Sequence, residues 1–215
     1  MSRILVTGGA GFIGSHTTEA LLARGDEVWV LDNFNDFYDP AIKRANAAAL
    51  SGAHVVEGDL RDEACLDALF EEGRFEGVIH LAAMAGVRPS LENPLLYEDV
   101  NVRGTLLLLE RIRRSAGCRF VFASSSSVYG NNETVPFSED HRVDRPISPY
   151  AATKLAGELL ARHQRQQGDH PVRTEPEEEH PLHDGVHPLG LGDEADSFRY
   201  RPEDRRALRV LAFRR

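Results

Sequence analysis

From the N-terminus to about Gln167, short runs of Val, Ile, Leu and Phe alternate with stretches of helical character. The runs Arg3–Thr7, Glu27–Leu31, His54–Glu57, Gly77–His80 and Arg119–Ala123 predict strands. The stretches Phe12–Arg24, Pro40–Leu50, Asp62–Glu71, Pro94–Ser115 and Pro149–Gln167 predict helices. Strands of four or five apolar residues, each separated from the next by a helix, predict a parallel sheet covered on both faces. The expected fold class is therefore α/β, a doubly wound parallel sheet of the Rossmann type.

The pattern changes after about Arg162. The segment QRQQGDHPVRTEPEEEHPLHDGVHPLGLGDEADSFRYRPEDRR has neither a period of two nor one of 3.6, and it offers little with which to pack a core. The chain is thus expected to comprise a folded unit over residues 1–165 and a largely disordered tail over 166–215. A length of 215 residues allows one full domain and a fragment of a second.

Net charge and targeting signals narrow the setting. A formal charge of -9 argues against a nucleic-acid partner, because phosphate backbones need a basic surface. The first apolar run reaches a glycine-rich turn by Gly8, too early for a secretory leader, and no apolar stretch of about 20 residues is present to cross a membrane. A cytoplasmic location is expected. Cys65 and Cys118 lack metal-ligand or CxxC spacing and read as reduced, semi-buried residues. His180, His183 and His187 lie in the tail without a scaffold, so no metal site is assigned.

Two motifs carry chemistry. The first strand ends in TGGAGFIG, with Gly8, Gly11 and Gly14 at a strand-to-helix turn. Gly8 permits the tight turn, Gly11 lets the backbone approach a pyrophosphate, and Gly14 lets helix and strand pack closely. The helix that follows, beginning at Phe12 and Ile13, presents free N–H groups and a partial positive charge to phosphate. Asp32, 18 residues beyond Gly14, is placed to accept both hydroxyls of an adenosine ribose and to repel a 2′-phosphate, which favours NAD over NADP. Asn33 follows it at the strand end, and Asp59 and Leu60 after the third strand have the same logic for the adenine edge.

The second motif is YAATK, Tyr150 to Lys154. A spacing of four puts both side chains on one helical face. Free tyrosine has a pKa of about 10 and is a poor base at neutral pH. A neighbouring ammonium favours the phenolate and brings it towards working range. Ser124, Ser125, Ser126 and Ser127 follow the fifth strand, where a hydroxyl can bond the reacting oxygen.

Glycine turn, Asp32, strand-end serines and YxxxK, in this order, resemble the extended short-chain dehydrogenase/reductase family. Within it the sequence is most similar to the NAD-dependent UDP-sugar 4-epimerases, and more narrowly to the UDP-glucuronate 4-epimerases. The narrower likeness rests on DNFNDFYDP, AAMAGVRPSLENP and SSSSVYGNNETVPFSEDHRVDRPISPYAATK and covers about residues 1–165. The resemblance implies that Tyr150 transfers the proton, Lys154 is its electrostatic partner and Ser125 is the catalytic hydroxyl. It implies that Leu81, Ala82, Ala83 and Asn101 line the dinucleotide, and it offers Arg88 and Ser126 as substrate contacts. The implied reaction is redox-neutral: bound NAD oxidises a UDP-sugar at C4, and the 4-keto sugar turns over and is reduced on its other face. Family dimers pair helices that match Pro94–Ser115 and Pro149–Gln167, so a homodimer is expected.

Sugar-nucleotide 4,6-dehydratases of the same family carry Thr-Asp-Glu where this chain has Ser125, Ser126 and Ser127. The missing acid–base pair favours epimerisation over water elimination. The family's sixth strand and substrate domain are not recognisable after the YxxxK helix, and the tail resembles a GC-rich gene read in a wrong frame. A truncated or frameshifted family member is expected, with weak or no turnover. A non-catalytic NAD-binding remnant and a fragment without function are the other readings.

Overall fold

The computed structural model describes residues 1–168, with side chains to residue 163. Of the tail expected to be disordered, residues 169–215 and with them its three histidines lie outside the described residues, and 166–168 continue the last helix. Five parallel strands form one sheet in the order β3-β2-β1-β4-β5: β1 (Arg3–Thr7), β2 (Glu27–Asp32), β3 (His54–Glu57), β4 (Gly77–His80) and β5 (Arg119–Phe122). Strand β1 lies at the centre, with Ile4 beside Val28 of β2 on one side and beside Gly77 of β4 on the other. The chain leaves β1 towards β2 and later returns to β4, so a crevice opens beyond the carboxyl ends of β1 and β4.

Alternation along the central strands divides the core into two layers. Leu5, Trp29, Leu31 and Val78 face one way, against α3 (Glu63–Gly73) and α6 (Gly104–Arg114), where Leu66, Leu69, Leu108, Leu109 and Ile112 close the layer. Ile4, Val6 and Val28 face the other way, against Leu21 of α1 (Phe12–Ala23). Because both faces are buried, the strands are apolar throughout and show no polar alternation. Helix α2 (Pro40–Ala49) lies beside α1, and α7 (Pro149–Gly168) packs on α6 and β5. Strand β3 is an edge strand, and its side chains are the least buried of the five.

The expected single helix Pro94–Ser115 is corrected by the structure. A short helix α4 (Val87–Glu92) precedes it, and the stretch itself divides into α5 (Pro94–Glu98), a π-helical turn at Asp99–Arg103, and α6. Such a turn adds a residue without breaking the hydrophobic stripe, so periodicity did not register it. Thr105 Oγ1 donates to the Asn101 carbonyl within this turn at 2.6 Å. A 3₁₀ turn at Ser126–Tyr129 follows β5.

Close approach explains the glycine turn, with one difference from the expected division of labour. Gly8 has φ +69, and a Cβ there would stand 2.8 Å from the Ala82 backbone at the end of β4. At Gly14 a Cβ would stand 2.1 Å from the Gly8 carbonyl oxygen, so Gly14 admits the turn and not the strand. The close contact with a strand belongs to Gly9, where a Cβ would meet Val30 at 2.7 Å. Gly14→Ala is expected to cost about 2 kcal/mol or more, because backbone must move to relieve the clash. Gly25→Ala, at a left-handed position facing open space, is expected to cost about 1 kcal/mol. Denaturant unfolding of the two variants checks the ranking.

Candidate active site

The crevice at the ends of β1, β2 and β4 brings together half of the residues singled out from sequence, and Tyr150, Lys154 and Ser125 are not among those lining it. Gly8, Gly11, Asp32, Asn33, Asp59, Leu60, Leu81, Ala82 and Ala83 all line it. Phe12, Ile13 and Gly14 open α1 at its rim, with Phe12 exposed. Helix α1 begins at Gly11 with no side-chain cap, so its first N–H groups are left for another acceptor. A Cβ at Gly11 would touch the Gly8 carbonyl at 3.2 Å and approach the Tyr38 hydroxyl at 3.8 Å. The bare backbone at this point leaves room for a diphosphate.

Asp32 is buried, 7% exposed, and joins two segments of the crevice. Its Oδ2 accepts the Ala10 N–H at 3.2 Å and its Oδ1 accepts the Phe34 N–H at 2.9 Å. Each oxygen keeps a further lone pair for a ribose hydroxyl. Asp59 accepts from the Asn33 amide at 3.0 Å and from the Arg61 guanidinium at 2.8 and 2.9 Å. Those bonds, Arg61 foremost, hold its carboxyl well below the usual range. Leu60 contributes to the crevice floor and to the core beneath it.

Sequence reasoning missed Lys43, Asn35 and Tyr38, which line the same crevice. Lys43 is 6% exposed, donates to Asn35 Oδ1 at 2.6 Å, and lies 4.0 Å from Asp32. Its ammonium also faces the Tyr38 ring, 5.0 Å from the centroid. A signal for it existed: lysine occurs only at 43 and 154 among 25 basic residues.

On the other side of the crevice, Asn101 in the π turn ties three elements together. Its Oδ1 accepts the Met84 N–H at 2.8 Å, and its Nδ2 donates to the Met84 carbonyl at 3.0 Å and to Thr153 Oγ1 of α7 at 3.1 Å. The loop after β4 is thereby fixed to the helix that carries Tyr150 and Lys154. Tyr97 completes the clamp, its hydroxyl donating to the Ala85 carbonyl. Tyr150 packs on the Met84, Tyr97 and Val100 cluster, its ring edge-on to Tyr97 with centroids 6.2 Å apart.

Lys154 follows one turn later on α7 and is 4% exposed. Its ammonium sits 4.4 Å from the Phe122 ring centroid at the end of β5. Burial pulls its pKa down to about 8, against an opposing influence of Glu158. Of the four serines, Ser124 is buried and donates to Glu158. Ser125 caps the 3₁₀ turn, its Oγ accepting the Ser127 N–H at 3.2 Å, and Ser126 is exposed. Arg88 stands exposed on α4.

Beneath the crevice, His80 bridges Thr7 of β1 at 2.6 Å and Thr105 of α6 at 3.0 Å. The Thr105 hydroxyl proton is spent on the Asn101 carbonyl, so His80 Nε2 must donate and its Nδ1 must accept from Thr7. This assigns the neutral ring, and burial, with Lys154 acting second, holds the pKa at about 3.

The fold and crevice define a dinucleotide-binding Rossmann-like domain, with Tyr150 and Lys154 on α7, the helix that Asn101 ties through Thr153 to the loop after β4. The chain belongs to the GDP-mannose 4,6 dehydratase family, whose model matches residues 5–175. It is 56% identical over 162 residues to UDP-glucuronate 4-epimerase 3 of Arabidopsis thaliana, covering 74% of this chain and 37% of that protein. It is 43% identical over 159 residues to the UDP-glucose 4-epimerase of Erwinia amylovora, covering 74% of this chain and 47% of that one. The UDP-glucose 4-epimerase of Thermus thermophilus, solved in complex with NAD, superposes with a TM-score of 0.70 at 42% identity, over 78% of this chain and 52% of that one. The enzyme from Bifidobacterium longum, solved with NAD⁺ and UDP, gives 0.68 at 34%, over 74% and 48%. The chain thus spans between 37% and 52% of these relatives' lengths.

Among the described residues, no three His, Cys, Asp or Glu side chains are grouped to hold a metal, and no helix is long and apolar enough to cross a membrane. Cys65 and Cys118 are both free thiols, half-buried.

The His80 geometry predicts a pH dependence. Its folded pKa lies below the unfolded value of 6.5, so between about 3 and 6.5 the unfolded chain binds more protons and stability falls as pH is lowered. The expected slope is on the order of 1.4 kcal/mol per pH unit between pH 6.5 and 4.5, above the carboxylate range. Urea unfolding across that window should show the slope in the parent chain and a flattened one in His80→Gln.

Proposed function

We propose that this chain is the dinucleotide-binding half of an NAD-dependent UDP-sugar 4-epimerase, acting on the UDP-glucuronate/UDP-galacturonate pair. The observation that carries the reading is the Tyr150–Lys154 face of α7, clamped by Asn101 to the loop that borders the glycine crevice. Residues 1–165 form the cofactor unit. Gly8, Gly11, Phe12, Ile13 and Gly14 take the pyrophosphate on bare backbone and helix N-terminus. Asp32 and Asn33 take the adenosine ribose, and Asp59 and Leu60 take the adenine side. Leu81, Ala82, Ala83 and Asn101 border the nicotinamide side, with Tyr150 and Lys154 bonding its ribose.

NAD, when bound, supplies a reversible two-electron acceptor for the sugar C4. Tyr150, as phenolate, accepts the proton of the sugar 4-hydroxyl and returns it after the sugar has turned. Lys154 lowers the cost of that phenolate through its charge. Ser125 holds the reacting oxygen by hydrogen bond. Arg88 and Ser126 are the substrate-side contacts in this reading. The glucuronate type is supported by the 56% identity to a plant UDP-glucuronate 4-epimerase.

A 4,6-dehydratase is the second reading, favoured by the name of the matching family. Against it, Ser126 and Ser127 occupy the positions where elimination needs two acids. A non-catalytic NAD-binding remnant is the third, favoured by the share of the relatives that this chain spans. A homodimer accords with Leu95, Leu106 and Leu159, apolar and exposed on α5, α6 and α7. A cytoplasmic setting goes with the same reading.

The test is purified full-length chain given NAD and UDP-glucuronate, with UDP-galacturonate measured by chromatography. At most weak turnover is expected of a chain that spans this share of its relatives, and Tyr150→Phe should abolish it while NAD is still bound. Asp32→Ala should weaken NAD about tenfold, the equivalent of about 1.4 kcal/mol. Bound NAD without turnover favours the remnant, and a 4-keto-6-deoxy product from UDP-glucose favours the dehydratase. Absence of NAD binding overturns the reading.

A further inference from the structure

Helix α7 carries more ionisable chemistry than the Tyr-Lys pair uses. Tyr150, Lys154, Glu158 and Arg162 follow one another at intervals of four, a single stripe along the helix. Glu158 is 5% exposed, which for a carboxylate calls for a compensating partner. Ser124 Oγ, from the end of β5, donates to Glu158 Oε1, and Arg162 approaches Oε2 at 3.5 Å. Ser124 immediately precedes Ser125, so the bond also fixes the strand end from which the 3₁₀ turn departs.

We infer that Glu158 is a positioning residue of this site: anchored by Ser124 and one helical turn beyond Lys154, its buried carboxylate keeps the Lys154 side chain in the ammonium form. The inference rests on the assignment of Tyr150 and Lys154 made above. A lysine buried against Phe122 loses most of its hydration, and burial alone drives an amine towards the neutral form. The neutral amine exerts no field on a tyrosine. Glu158 is the charge that opposes this loss at Lys154.

The remaining groups around the stripe do not substitute for it. His80 of β4 is neutral, and any charge there would repel the lysine. Tyr129 of the 3₁₀ turn is pushed up by burial and then by Glu158, and Tyr97 of α5 by burial and then by Tyr150. Asp99 of the π turn is paired with Arg61 and Arg103. Arg111 of α6 is bonded to Glu63 and Asp67, and Glu92 of α4 acts on Tyr97. Ser124 therefore has a role distinct from that of Ser125, although the two are adjacent in one run of serines.

The chain offers an unusually direct test, because it contains two lysines. The full 215-residue protein, labelled with lysine carrying ¹³C at Cε, should give two lysine Cε resonances by NMR. The Lys154 signal, assigned by Lys154→Met, is expected to titrate near pH 8 instead of at the ordinary 10.5. Glu158→Gln should lower that midpoint by about one pH unit, a tenfold loss in the ratio of ammonium to amine. Ser124→Ala should lower it less. A purely structural role for Glu158 would leave the Lys154 midpoint in place. An unchanged midpoint in folded Glu158→Gln overturns the inference, as does a wild-type midpoint at 10.5. Where circular dichroism shows Glu158→Gln unfolded, Ser124→Ala decides: a lowered midpoint supports the coupling and an unchanged one overturns it. NAD binding by the parent chain is measured separately, so failure of the proposed activity and failure of this coupling give different results.

Discussion

A length of main chain without side chains has to fit among the ends of three strands, and the crevice exists because it does. Gly8 lies against the Ala82 backbone, Gly9 against Val30 and Gly14 against the Gly8 carbonyl, at separations that a methyl group would violate. This packing brings the start of α1 over β1 and leaves its N-terminal N–H groups facing the gap between β1 and β4. Asp32 then ties the turn to the end of β2 through the Ala10 and Phe34 amides. The same carboxylate is thus a structural clasp and a ribose acceptor in the proposed reading. One interaction therefore sets both the shape of the site and part of its selectivity.

Burial of charge is the second constraint. Both lysines of the chain are buried, Lys43 in the crevice and Lys154 over the end of β5, and each is compensated differently. Lys43 is held by direct oxygen contacts from Asn35, with Asp32 at 4.0 Å. Lys154 rests on the face of Phe122, where the attraction is weaker and burial wins, so its pKa falls to about 8. Such an amine is poised to lose or keep its charge near neutral pH. A nearby carboxylate then has leverage that it would lack beside a solvated lysine.

The helical face opposite the glycine turn is arranged by hydrogen bonds that cross between elements. Asn101 joins the loop after β4 to α7, Tyr97 holds the same loop, and His80 links β1 to α6 through two threonines. All of these are buried polar groups whose partners are met within the protein, which fixes geometry at little net gain in stability. The π turn at Asp99–Arg103 puts Asn101 at the junction.

The residues themselves determined the strands, the parallel sheet, the glycine turn, Asp32 and the Tyr150–Lys154 pair. Each of these follows from local steric or periodic rules: which residues alternate, where a Cβ is forbidden, which side chains share a helical face. The π turn, the α4 helix, the clamp by Asn101 and the roles of Lys43, Ser124 and Glu158 came only with the tertiary structure. Whether a lysine is solvated or buried, and which of four adjacent serines meets a carboxylate, depends on atoms far apart in sequence that one element's pattern does not encode. Local chemistry named the candidate parts, and long-range packing decided which of them are buried and what each one touches.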